Sequence, residues 1–187
     1  SLFWRQAEKH YQVFYINWDA SSQQQFYCDI GVSLPFLDVF YGENWMQFLP
    51  LAISVRLAEL KYGYDQWWKF QDLASLAVSV DDFLKTLDAY GLKWLGQLET
   101  LQAVKKAFYQ RHLDVPLPHP YRLFDYARIL QELGDWETAK WYYAKALERL
   151  EQPQDFAKDK LKMAKVKRIP LDLKMLSLIR NALQKSC

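Results

Sequence analysis

Apolar residues run almost without a break from Tyr11 to Trp18, and the run ends at the polar stretch Asp19-Ala20-Ser21-Ser22-Gln23. Its aromatic and β-branched content predicts a strand buried on both faces. From Gln25 to Leu34 the pattern alternates, with Phe26, Cys28, Ile30, Val32 and Leu34 on one side and Tyr27, Asp29, Gly31 and Ser33 on the other. Period two is that of a strand, and the two segments should pair as a hairpin. Pro35 has no N–H to give a ladder and ends the second strand. After a loop containing Gly42, Glu43 and Asn44, period two returns at Leu51, Ile53, Val55 and Leu57, with Ser54 and Arg56 opposite. This predicts a third strand, against a helix as the competing reading. Tyr62-Gly63-Tyr64-Asp65 then turns the chain into Trp67-Trp68.

Beyond Val80 the period becomes helical. Ser79 and Asp82 have capping-box spacing, Phe83, Leu84, Leu87 and Tyr90 make one stripe, and Gly91 supplies a stop. A short helix follows over Leu92 to Leu98, and Thr100 can cap another through Val104, Ala107 and Phe108. Val115-Pro116-Leu117-Pro118-His119-Pro120 reads as a linker, because its prolines forbid regular helix or central strand. Four helices are expected after it: Tyr121 to Leu133, Trp136 to Glu151, Asp155 to Val166, and Leu171 to Gln184 behind Pro170. The predicted class is α+β: a small antiparallel sheet with packed helices over 1–114, a proline-rich linker at 115–120, and a helical region over 121–187 packed on the first.

With 187 residues, 51% of them hydrophobic, the chain can build a core without staples. Its 8 Trp, 12 Tyr and 11 Phe are unusual, and the question is which of these rings are left for a partner. A net charge of +2 is too even for a phosphate-tracking surface, so nucleic acid is not favoured. The local excess of base from Lys158 to Arg168 reads as a solvated face. Cys28 and Cys187 show no disulfide framework, and no membrane span or signal peptide is visible, which points to a cytoplasmic protein. The aromatic opening at Leu2-Phe3-Trp4 leads us to expect a first element lying before Ser1.

Chemistry has few places to stand. His112, Asp114 and His119 are close in sequence, but the prolines between them extend the chain and no i, i+4 histidine pair forms a metal site. Cys28 and Asp29 point to opposite faces of their strand, so Cys28 is expected to be inert. Asp81-Asp82 reads as first-turn capping. No phosphate loop, nucleophile elbow or zinc-protease motif occurs, and no catalytic residue, metal or cofactor is expected. What remains are surfaces. Asp29 shares its face with Tyr27 and Ser33, and an Arg56 lying across from it would pair with it. Trp67 and Trp68 cannot both point inward from an extended segment. Trp141, Tyr142 and Tyr143 span about 200° of a helix, so at least one faces outward. The candidates for a protein-binding surface are therefore Tyr27, Asp29, Arg56, Trp67, Trp68, Trp141 and Tyr142.

Two resemblances add to this. Tyr126 to Glu148 resembles a single tetratricopeptide repeat, with Leu133-Gly134 at its turn, Ala127 and Ala139 as small packing residues, Tyr143 in the second helix and Ala146-Leu147 near its end. The resemblance implies antiparallel helices and, by analogy, a protein or peptide partner. Residues from about 4 to 108 resemble a bacterial family known as domain of unknown function 4304. The carrying residues are Gln12-Val13, Phe26-Tyr27-Cys28-Asp29-Ile30-Gly31-Val32, Arg56-Leu57-Ala58-Glu59-Leu60, Trp67-Trp68 and Leu92-Lys93-Trp94-Leu95. The chain departs from that family at Leu51-Ala52-Ile53-Ser54, where polar or basic residues are expected, and at its start, where the family's opening helix is missing or lies before Ser1. The family implies an α+β fold and no established reaction, and its relatives often look like small accessory or immunity-type proteins of bacteria. The expected function is thus non-enzymatic binding, as an immunity or antitoxin-like inhibitor of a bacterial toxin. A small-molecule enzyme using the polar sheet face and a structural adaptor are the alternatives.

Overall fold

The computed structural model describes residues 2–19, 24–40, 51–151 and 165–184, with 38–40 and 165–174 as backbone only. The class is α+β, as the periodicities predict. The chain divides into two compact units, Ser1–Ala107 and Phe108–Cys187. The division falls inside a helix, and residues 115–120 belong to the second unit.

The first unit is built on an antiparallel sheet of β1 (Leu2–Gln6), β2 (Tyr11–Trp18), β3 (Gln25–Ser33), β4 (Leu51–Arg56) and the short β5 (Trp68–Lys69). β2 covers one edge of β3 along its length. β4 and β5 share the other edge, β4 opposite Asp29 to Ser33 and β5 opposite Gln25 and Phe26. Helix α1 (Leu57–Tyr62) carries the chain out between them, and helix α2 (Leu73–Thr86) follows β5. A π-turn at Leu87–Gly91 then leads into α3 (Leu92–Gly96), and α4 spans Leu101–His112.

Alternation in β3 sets the core. Phe26, Cys28 and Ile30 pack with Leu57, Ala58, Trp68, Phe83 and Leu95. Three rings interlock there: Phe26 stacks on Trp68 at 5.7 Å, and Phe83 meets both edge-on at 5.7 and 5.4 Å. Such pairs add about 0.5–1.5 kcal/mol each to the burial of their area. The β1–β2 hairpin grips the α3–α4 corner by three hydrogen bonds. Gln12 Nε2 donates to the Leu95 carbonyl at 2.7 Å, the His10 Nε2 lies 2.7 Å from the Leu98 carbonyl, and the Leu101 N–H donates to the Glu8 carboxylate at 2.9 Å. These contacts satisfy polar groups that a helix end leaves without an intrahelical partner.

Several expectations are corrected. Leu2–Gln6 is a strand paired with β2, which the sequence reading did not assign. β2 is buried on both faces only at Gln12 and Val13: beyond them Phe14 and Ile16 are half-buried, while Tyr15 and Trp18 are exposed. An unbroken apolar run gives no information on which side is covered, and the second half of β2 lies at the margin of the core. Helix α2 begins at Leu73, not near Val80. Asp72 and Ser75 form the capping box, with the Ser75 N–H donating to Asp72 at 2.8 Å, and Ser79 sits mid-helix donating to the Lys69 carbonyl at 2.6 Å. Two Ser/Asp pairs have the same spacing, and the earlier one starts the helix because no breaker separates them. Gly91 does not stop the helix: its φ is −65°, and the chain stays helical into α3. A Cβ there would come within 2.8 Å of Leu57 Cδ1 and 2.9 Å of Leu87 Cδ1, so Gly91 is a close-approach position.

In the second unit α5 (Pro120–Glu132) and α6 (Trp136–Glu151) form the expected hairpin, and α7 (Lys165–Gln184) packs on α6. Gly134 has φ 81°, and the N–H groups of Gly134 and Asp135 close α5 on Gln131 and Leu130. Asp135 then caps α6 through the Thr138 N–H at 3.2 Å, so one turn both ends and starts a helix. Ala127, Ala139, Tyr143 and Ala146 are buried in the seam. Helix α7 starts upstream of Pro170 rather than behind it. Position 170 is in its second turn, where the missing N–H removes one bond. The expected helix at Asp155–Val166, the basic run and the 42–44 loop lie wholly or largely outside the described residues.

Candidate functional site

The layout of the sheet gathers a side-chain cluster. Tyr27 and Asp29 project from the same face of β3, opposite its core residues. Arg56, the last residue of β4, is the register partner of Asp29, and its Nε donates to Asp29 Oδ1 at 3.0 Å. Helix α1 ends where the Gly63 N–H bonds the Glu59 carbonyl, and the following turn returns Asp65 to the same guanidinium. Arg56 Nη1 donates to its two carboxylate oxygens at 3.0 and 3.2 Å. Two carboxylates thus hold one planar cation. Its Cζ lies 3.7 Å from the centre of the Tyr27 ring and 5.8 Å from that of Trp67, and Trp67 meets Tyr27 edge-on at 4.5 Å.

Ion pairs this close to solvent contribute about 0–1 kcal/mol, and an exposed cation–π contact about 0.5–1 kcal/mol. The cluster therefore does little for global stability. It fixes the rotamers of two half-buried rings, Tyr27 and Trp67, at the gap between β4 and β5.

Trp68 faces the other way, as alternation requires. It is 6% exposed, and its Nε1 donates to Asp82 Oδ2 at 2.9 Å. Of the two tryptophans, Trp67 is the one presented, and Trp68 is withdrawn as a contact residue by its place in the core. Asp82 is not a first-turn cap. It lies mid-helix and also receives Lys61 Nζ at 2.6 Å and the Tyr62 hydroxyl at 3.2 Å. The hydrogen bond from Lys61 leads in holding the Asp82 carboxyl below its ordinary range, and the same contact raises Lys61. Asp81 pairs with Lys85 one turn on, at 2.7 Å.

Between β5 and α2 lies an open depression of about 590 Å³, lined by Asp65, Trp67, Trp68, Lys69, Ser79 and Asp82 among others. Asp29 and Arg56 do not line it. In the second unit Trp141 is 55% exposed and lies 4.8 Å from half-buried Tyr142, which meets Tyr126 at 4.8 Å. Tyr143, the third aromatic of that run, is buried and donates to Gln131 at 2.8 Å. Both rings line a slot of about 270 Å³ with Tyr109, Leu113 and Lys145.

The remaining candidates are structural. Cys28 is buried, and desolvation pushes its thiol up to about 12. His119 caps α5 toward the Tyr121 N–H, and the His112 ring packs 4.7 Å from Phe108. Among the described residues no three His, Cys, Asp or Glu side chains converge as a metal site would require. No helix there is long and apolar enough to cross a membrane. The sequence reading missed Asp65, Lys61 and Asp82 as anchoring residues, and it missed His10. The turn at Tyr62 to Asp65 was the one available signal for Asp65. No family model, curated protein or solved structure matches the chain.

Proposed function

We propose that this chain is a non-enzymatic binding protein that holds another protein through the surface around Tyr27, Arg56 and Trp67, with Trp141 and Tyr142 as a second contact. The observation carrying this reading is the Arg56 guanidinium, pinned by Asp29 and Asp65 against two rings. Trp, Tyr and Arg are the residue types that concentrate binding energy in protein interfaces, and rings already fixed lose little entropy on docking. Its partner, in this proposal, is a bacterial toxin domain. That part rests on the resemblance of residues 4–108 to an immunity-type family. A cytoplasmic setting belongs to the same proposal and rests on the two cysteines without a disulfide framework.

The test is coexpression of the full chain with proteins encoded beside its gene. Relief of growth arrest, a 1:1 complex without turnover, and binding weakened about tenfold or more by Trp67→Ala are expected. Failure of every neighbouring product to bind or to be neutralised would remove the toxin reading.

One observation favours a second reading, a small-molecule enzyme. The depression falls within the range of about 300–1,000 Å³ typical of ligand sites. Against catalysis, Asp65 and Asp82 already accept from cations or other donors, which leaves neither as a poised base. Binding of a metabolite there, lost on Ser79→Trp, would favour it.

A further inference from the structure

The slot beside Trp141 and Tyr142 is lined by residues of the second unit throughout. Tyr109 near the end of α4 forms a further wall, and buried Leu113 and Leu123 complete its apolar lining. Its rings are held in series. Tyr126, 7% exposed, lies 5.6 Å from Tyr109 and 4.8 Å from Tyr142, and Trp141 meets Tyr142 edge-on. Tyr109 and Trp141 remain exposed, so rings already fixed on one another are open to a partner and lose little rotamer freedom when it docks.

Size and charge narrow the occupant. At about 270 Å³ the slot falls below the range of about 300–1,000 Å³ that encloses a whole ligand, and it fits a single side chain. Ring-on-ring contacts add to the burial of area, which favours an aromatic over an aliphatic chain there. Lys145 pairs with Glu148 at 2.8 Å and lies 5.8 Å from the centre of the Trp141 ring, so that ring already has its cation. Arg149 also lines the slot. It is half-buried, and among the described residues no carboxylate pairs with it. A second basic group entering here would be repelled, whereas an acid would give Arg149 a counter-ion in the planar geometry that suits a guanidinium.

We propose that the slot anchors one aromatic side chain of a partner protein, and that an acidic residue two positions from that side chain pairs with Arg149. This rests on the reading of Trp141 and Tyr142 as a protein contact and names what that contact takes. The spacing follows from the helix. Tyr142 and Arg149 lie seven residues apart on one face of α6, about 10 Å along its axis. In an extended segment residues two apart point to the same side about 7 Å from each other, and the long arginine side chain spans the difference.

Nitrogen-15 NMR titration of the full chain with the peptide acetyl-Asp-Gly-Phe-Gly-Asp-amide tests this. Saturable movement of the Trp141 indole N–H signal, identified by its loss in Trp141→Phe, is expected. The peptide with alanine for its phenylalanine should bind about tenfold or more weaker, and the one with lysine for both acids about fivefold or more weaker. Arg149→Met should cut the preference for acid over lysine to about twofold or less while thermal unfolding stays that of the parent. No binding of the acidic peptide, equal binding of the acidic and lysine peptides, or a preference that survives in Arg149→Met overturns the proposal. Binding of 3-phenylpropanoate as tight as that of the acidic peptide also overturns it, because the slot would then be a site for a free aromatic acid. The titration involves no toxin. Its failure leaves the Tyr27, Arg56 and Trp67 surface standing, and failure of coexpression leaves the peptide result standing.

Discussion

Arg56 and Asp29 face each other across the β3–β4 ladder, 3.0 Å from Nε to Oδ1, and Nη1 of the same guanidinium reaches Asp65 beyond α1. One residue at the end of a strand thereby ties together the sheet, the turn after α1 and the ring of Tyr27. The geometry depends on a flat, forked cation. An ammonium could reach one carboxylate, but it could neither span both nor lie flat on the ring.

Arg56→Met should therefore cost little in global stability, about 1 kcal/mol or less by urea unfolding, since each contact is partly solvated. It should still loosen Trp67. Collisional quenching of tryptophan fluorescence is expected to rise, and Arg56→Lys should behave like Arg56→Met in that measurement. Quenching unchanged in both variants would show that the rings hold themselves.

His10 predicts a pH response. Its ring is buried against the Leu98 carbonyl, and Nδ1 has no partner among the described residues. Desolvation lowers its pKa below the ordinary 6.5, outweighing the Leu98 carbonyl and Glu8, which favour the charged form. Between the lowered value and 6.5 the unfolded chain binds the extra proton, so stability falls as pH drops through that window. His10→Gln can keep a donor to Leu98 without titrating. Thermal unfolding from pH 7 to 5 should show a shallower loss in His10→Gln than in the parent, and parallel curves would refute the assignment.

The legible parts of the fold were those fixed by one element's own pattern. β3 followed from the alternation of Phe26 to Val32, and the α5–α6 turn from Leu133-Gly134-Asp135, because each is decided by residues that touch locally. The Asp29–Arg56 pair was legible once two strands were assumed neighbours. Asp65, Lys61, Asp82 and His10 were not, since their partners are fixed by tertiary packing, 9 residues away for Arg56 with Asp65 and 88 for His10 with Leu98. The start of α2 was misread for another reason: Leu73, Ala77 and Val80 put apolar residues on its exposed face, so the stripe that turns inward does not stand out over the first two turns.

Gly91 should resist replacement although its backbone is ordinary helix. Alanine gains about 0.8–1 kcal/mol of helix propensity over glycine. Its Cβ would press on Leu57 and Leu87, with Ile30 Cδ1 at 3.5 Å behind them, and overpacking of this kind costs about 1–3 kcal/mol. Since Leu57 and Ile30 are fully buried, they have little room to yield. Gly91→Ala is expected to destabilise by about 1 kcal/mol in urea unfolding, with Leu57→Ala in the same chain restoring part of the propensity gain.

Asp125 on α5 should give a pH dependence of the opposite sign to that of His10. Burial pushes its carboxyl up to about 6, while Arg122, at 3.3 Å, pulls it down without prevailing. The native chain then holds a proton that the unfolded chain has released between pH 3.8 and about 6, so this residue's contribution to stability falls as pH rises through that window. Above it the buried charge remains as a cost, one that Asp125→Asn removes while keeping the shape and an acceptor for Arg122. At pH 7 Asp125→Asn should be more stable than the parent by about 1–3 kcal/mol, the scale of a shift of about two pKa units. At pH 4 the advantage should vanish. An asparagine variant equal to the parent at pH 7, or less stable, would mean that Arg122 holds a fully compensated ion pair, and that ionised Asp125 is a support of α5 rather than a burden on it.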